Sequence, residues 1–132
     1  MTYAPRISVR DVITIHDASI RKFGGATGLR DENLLISALA QPFQTFEGVD
    51  LYPGVVAKAC RCAFGIIANH PFIDGNKRTG AAVLGVLLRL SGYDFHPNHE
   101  AFLRIIFGVA DGTVSCSKLT SWVYLVLQIP DE

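Results

Sequence analysis

The sequence has no long apolar run, no surplus charge of either sign, only three cysteines and a single tryptophan. Each absence excludes something. The longest apolar stretch, residues 81–88, ends at Arg89, far short of the roughly 20 residues that a membrane-spanning helix needs. The first residues already carry Arg6, Arg10 and Asp11, so they do not read as an export signal, and a cytoplasmic location is the expectation. An odd number of thiols gives no disulfide framework. Cys60 and Cys62 stand two apart, which on a helix turns them about 200° from each other and suits small buried residues better than a shared metal. Twelve basic against twelve acidic residues leave no net charge. Overall electrostatics therefore does not support nucleic acid or an anionic membrane as a partner, and only a local basic cluster stays open.

What the sequence does hold is apolar content. Of 132 residues 49% are hydrophobic and 18% charged, which excludes a disordered chain and fits one domain over residues 1–132. Helical signals recur and strand signals are scarce. Ser8 and Asp11 resemble a capping box ahead of the apolar face Val9, Val12, Ile13, Ile20 and Phe23, and Gly24-Gly25 stops that helix. Asp31 caps a second helix that ends before Pro42, and Pro53 suits the first turn of a third running toward His70. Between them, residues 43–52 mix β-formers around Glu47-Gly48 and predict a short hairpin. A fourth helix, 77–90, is apolar on nearly every side, which predicts a central place in the fold. Two more, near 98–110 and from Ser115 or Ser117 to Leu127, complete an all-α reading of about six helices with one hairpin. Trp122 and Tyr124 read as core packing.

One segment, His70-Pro71-Phe72-Ile73-Asp74-Gly75-Asn76-Lys77-Arg78-Thr79, is neither helix nor ordinary loop. It joins the two most apolar helices, so its polar groups sit in a rigid frame. Lys77 and Arg78 fall in the first turn of a helix, where the macrodipole disfavours cations and favours an anion. Two cations beside exposed backbone N–H groups make sense if a phosphate chain binds there. Asp74 then supplies a hard oxygen for Mg²⁺, Gly75 frees the backbone, and Asn76 can place a phosphate oxygen without adding charge. His70 is the candidate general base or acid. His96-Pro97-Asn98-His99 offers a weaker metal pattern, since a proline divides its histidines.

This motif closely resembles that of the Fic/Doc (Fido) superfamily, in its death-on-curing (Doc) toxin branch. His16-Asp17, Gly24-Gly25, Gly28-Leu29-Arg30-Asp31 and Ser91-Gly92-Tyr93 are similar to that branch as well. The resemblance implies an all-α Fido fold and the transfer of part of ATP to a protein hydroxyl. In that reading His70 is the base, Asp74 holds Mg²⁺, Gly75, Asn76, Lys77 and Arg78 contact the phosphates, and Phe72 anchors the loop. Phe46, Glu47, Gly48 and Val49 match the flap that aligns the target by strand-like pairing. Lys77 and Ala81 replace a glycine and a second arginine of adenylylating Fic enzymes. The Doc branch shares both departures and phosphorylates elongation factor Tu, so phosphoryl transfer is expected, with adenylyl transfer as the alternative. Neither Glu47-Gly48 nor Glu32-Asn33 fits the family's inhibitory Ser/Thr-x-x-x-Glu-Gly/Asn pattern. Inhibition is then expected from a cognate antitoxin that inserts a peptide segment into a groove.

Overall fold

Local capping starts most of the helices. The Ser8 hydroxyl accepts the Asp11 N–H at 3.0 Å while the Asp11 carboxylate accepts the Ser8 N–H at 3.1 Å, closing a capping box at the head of α1 (Val9–Phe23). The computed structural model describes residues 4–131; residues 1–3 and 132, which the one-domain reading includes, lie outside the described residues. The Asp31 carboxylate accepts from Asn33 and Leu34 to open α2 (Glu32–Ala40). Asn98 and Ser115 do the same for α5 (His99–Asp111) and α6 (Cys116–Leu127). Between these lie α3 (Val55–Asn69) and α4 (Asn76–Leu90).

Two details differ from the sequence expectation. After Ala40 the chain makes one 3-10 turn, Gln41–Phe43, with Pro42 buried in it, so the proline tightens the helix end where a plain stop was expected. Pro53 lies outside α3, because Gly54 at φ 86° is the N-cap and Val55 the first helical residue. The hairpin forms as expected. β1 (Thr45–Phe46) pairs antiparallel with β2 (Val49–Asp50), Phe46 opposite Val49. Glu47 at φ 51° and Gly48 at φ 79° make the left-handed two-residue turn that matches the twist of the strands.

The hub of the core is α3, not α4. It packs against α4, α2, α6 and α5, while α1 lies on α4. Ala59, Cys60, Ala63, Ile66 and Ile67 of α3 are buried, as is Cys62. Burial raises the Cys60 and Cys62 thiols to about 12, in keeping with inert core residues. Small residues set the helix spacing at two places. A Cβ on Gly65 would come within 2.9 Å of the Ala38 side chain, and one on Gly80 within 2.4 Å of Ile67. The α4 face carrying Ala81 and Ala82 is only partly covered, which is why that apolar helix is not central. Phe102 stacks on Trp122 at 5.7 Å and meets Phe95 edge-on at 5.5 Å, so the tryptophan packs. Among the described residues no helix is long and apolar enough to cross a membrane.

Candidate active site

The motif forms the whole link between α3 and α4. α3 ends at Asn69, and His70 caps it in the left-handed region, φ 52° and ψ 56°. A β-carbon makes that conformation costly, roughly 1–2 kcal/mol, so the surroundings must hold it. Arg30 does so: its Nε donates to the His70 carbonyl at 2.8 Å and its Nη2 to the Asn69 carbonyl at 2.9 Å. The backbone N–H groups of Arg30 and Asp31 both donate to the Pro71 carbonyl, and that of Ile73 to Gly28. The segment 28–31 thus lies along the loop, with Leu29 and Phe72 forming an isolated antiparallel bridge.

Asn76 fixes the loop from inside. It is 5% exposed, and its Oδ1 accepts the Phe72 N–H at 2.9 Å while its Nδ2 donates to the Phe72 carbonyl at 3.0 Å. Those two bonds settle which way the amide points. Nδ2 then also donates to His70 Nδ1 at 3.1 Å, so Nδ1 is the accepting nitrogen and the neutral ring carries its proton on Nε2. The Asn76 amide is therefore spent on the loop itself. Phe72 is 2% exposed and its ring stacks on that of His16, centroids 3.9 Å apart at 6°. The buried His16 places Nε2 at 2.7 Å from the Asp74 carbonyl, and since a carbonyl only accepts, that nitrogen carries a proton.

Asp74 is exposed and ionised. Its Oδ2 accepts the Ala26 N–H at 3.1 Å and its Oδ1 the Gly75 N–H at 2.8 Å, and these bonds hold its carboxyl below the usual value of 3.8, helped by Arg78 and His16. A Cβ on Gly25 would meet Oδ2 at 2.6 Å, so only glycine leaves the carboxylate where it is. Each oxygen keeps a lone pair free. One ionised carboxylate at the edge of a cleft is a donor set that Mg²⁺ uses when phosphates and water complete its shell, so Asp74 would fit that ion. Among the described residues no group of three or more His, Cys, Asp or Glu side chains could hold a metal on its own.

Asp74, Gly75, Asn76, Lys77 and Arg78 line a cleft of about 310 Å³ whose far wall is Phe23 to Gly25. Arg78 rests with its guanidinium 4.8 Å over the Phe23 ring, its Nη1 3.4 Å from the Gly24 carbonyl. Lys77 lines the cleft wall while its ammonium lies 5.3 Å over the Phe107 ring. Beyond them a larger groove of about 850 Å³ runs between α1, α4 and α5, floored by Ile15, Phe102, Leu103 and Ile106 and sharing Lys77 and Arg78 with the cleft.

The family model for the Fic/DOC family matches residues 6–88. This chain belongs to the Fic/DOC family. Toxin Doc of Mycolicibacterium smegmatis is 40% identical over 82 residues, 62% of this chain and 61% of that protein. The match thus spans about three fifths of that relative's length. Protein kinase doc of Escherichia phage P1 is 28% identical over 116 residues, 86% of this chain and 88% of that protein. Both names point to the Doc branch.

In this Fic/DOC fold His70, Phe72, Asp74, Gly75, Asn76, Lys77 and Arg78 are all on one loop and the first turn of α4. Phe46, Glu47, Gly48 and Val49 lie on the separate hairpin, which Lys58 ties to α3 through Asp50 and the Tyr52 carbonyl. Among the described residues no hydrogen bond joins that hairpin to the loop. His96 and His99 are exposed, His96 pairing with Asp94 at 2.7 Å. Sequence reasoning noted His16 and Arg30 only as points of resemblance. Their bonds to residues 58 and 40 positions away leave no local signature.

Proposed function

We propose that this protein is the toxin of a toxin–antitoxin pair, transferring the γ-phosphoryl group of ATP to a hydroxyl of a protein, elongation factor Tu by the resemblance, and so arresting translation. The observation that carries the proposal is the cleft at the head of α4, where Asp74, the Gly75 turn and Arg78 surround space for a phosphate chain, with His70 four residues before Asp74 on the same loop. The name of the phage relative, Protein kinase doc, supports the kinase reading over adenylyl transfer. So does Ala81, which offers no charge for a further phosphate contact.

In the reaction the acceptor hydroxyl oxygen bonds to the γ-phosphorus, the bond to the bridging oxygen breaks, and ADP leaves with that oxygen. His70 takes the hydroxyl proton on Nε2. That nitrogen is protonated at rest, so the ring must first move its proton to Nδ1 through water and give up the bond from Asn76, at about 1 kcal/mol. Arg78 swings from Phe23 onto the phosphates, and the N–H groups at the start of α4 face the same charge. Asp74 would hold Mg²⁺, which when bound neutralises phosphate charge. Phe46 and Val49, exposed on the hairpin, would pair with the target chain. The antitoxin's inhibitory segment would lie in the apolar groove between α1, α4 and α5.

The experiment is incubation of the protein with a cell lysate and ATP labelled on either the γ- or the α-phosphate. Transfer of the γ-label to a single protein is expected; transfer of the α-label would overturn phosphoryl transfer in favour of adenylyl transfer.

A further inference from the structure

Two side chains outside the motif hold its two ends from different directions. Arg30 lies on the segment between α1 and α2 and grips the carbonyls of Asn69 and His70, the last two at the C-terminal end of α3. A planar fork suits two neighbouring carbonyls as a lysine cannot. His16, on α1, is 1% exposed and does two things at once: its Nε2 donates to the Asp74 carbonyl and its ring backs Phe72. Neither touches the cleft. We propose that Arg30 and His16 are separate positioning residues, Arg30 setting the His70 ring and His16 setting the Asp74 carboxylate.

The separation follows from the bonding. Without the Arg30 side chain the His70 and Asn69 carbonyls lose their donors, only the backbone bonds to Pro71 and Gly28 remain beside the left-handed residue, and the ring no longer stands at a fixed place. The Asp74 end keeps its bonds from His16, Ala26 and Gly75. Without the His16 donor the Asp74 carbonyl loses that bond and the turn keeps only those from Ala26, Gly75 and Ile73, while Arg30 still clamps residues 69–71. The inference rests on the roles given above to His70 and Asp74, and its test reads structure and binding as well as transfer.

The His70 ring nitrogens are followed by ¹⁵N NMR, Mg²⁺–ATP binding by calorimetry, and transfer with γ-labelled ATP and purified elongation factor Tu. Arg30→Ala should broaden or split the His70 ring signals as the ring leaves its fixed place, and lower transfer roughly 10–100-fold, leaving Mg²⁺–ATP affinity within about two-fold. Arg30→Lys should recover part of this. His16→Phe keeps the stack and removes the donor; it should weaken Mg²⁺–ATP binding roughly 10-fold or more with the His70 signals unchanged, and His16→Gln should restore it. His16→Met serves if the phenylalanine variant does not fold. Unchanged His70 signals in Arg30→Ala, or both variants disturbing both readouts alike, would overturn the proposal. His70→Ala is the control on the underlying reading: full transfer in that variant would sink the base role, with the NMR and binding results still judging the two braces.

Discussion

Replacing Asn76 by alanine should cost far more stability than its place at the first residue of a helix suggests. The side chain is 5% exposed and satisfies both main-chain groups of Phe72, itself 2% exposed, at 2.9 and 3.0 Å. Alanine leaves a buried N–H and a buried carbonyl without partners, each at about 1–3 kcal/mol. The third bond, to the exposed His70 ring, adds little. The sum is about 2–6 kcal/mol, a large share of the 5–15 kcal/mol by which a typical domain is stable. Urea unfolding at neutral pH measures it, with an unchanged slope showing that the transition stays two-state. Asn76→Asp divides the two contributions. It keeps the acceptor for the Phe72 N–H and sets a carboxylate oxygen against the Phe72 carbonyl, so its deficit should shrink as the pH is lowered and the acid gains a proton to donate. A loss below about 1 kcal/mol in Asn76→Ala would refute the claim that this amide holds the loop.

Other outcomes follow from the same geometry. His70→Ala should lower phosphoryl transfer by about 10²–10⁴ while Mg²⁺–ATP still binds, as measured with γ-labelled ATP and by calorimetry. Gly80→Val should destabilise by about 1–3 kcal/mol in urea, because even its Cβ would stand 2.4 Å from Ile67. At pH 8 Cys60 and Cys62, buried and with thiols raised to about 12, should stay protonated and out of reach; a thiol reagent should find at most Cys116 in the native protein and all three cysteines once unfolded. Asp11, Asp74 and Asp111 are each held below 3.8 by hydrogen bonds. The folded chain therefore binds fewer protons than the unfolded one just below that value. Their contribution is intact above pH 3.8 and is lost as the pH falls through their lower folded values. Urea midpoints that rise from pH 4 to pH 3 would contradict this.

Much of the secondary structure was legible because its causes are local. Ser8 with Asp11, Asp31, Asn98 and Ser115 each bond to backbone two or three residues on, and such spacings are visible in a string of letters. The same holds for the Glu47-Gly48 turn. Pro53 misled because Gly54 took the cap and left the proline outside. The apolar 77–90 stretch misled in another way: composition shows how apolar a helix is, not which neighbours cover it, and the Ala81–Ala82 face looks onto a groove.

The residue types of the loop were likewise legible, since a histidine, a carboxylate and two cations at a helix start lie within nine positions. Their division of labour was not. Asn76 read as a phosphate contact, yet its amide points inward to Phe72 and His70. Lys77, read as a phosphate contact, lines the cleft with its ammonium over the Phe107 ring.

The sequence by itself determined where most helices begin and which short polar segment joins α3 to α4, because capping and turn chemistry act over a few residues. Only the tertiary structure decided what holds that segment in shape. The carbonyls of Asn69, His70 and Asp74 find their donors on Arg30 and His16, 39 to 58 positions away in the chain, and a donor at that distance is chosen by how α1, α3 and α4 pack.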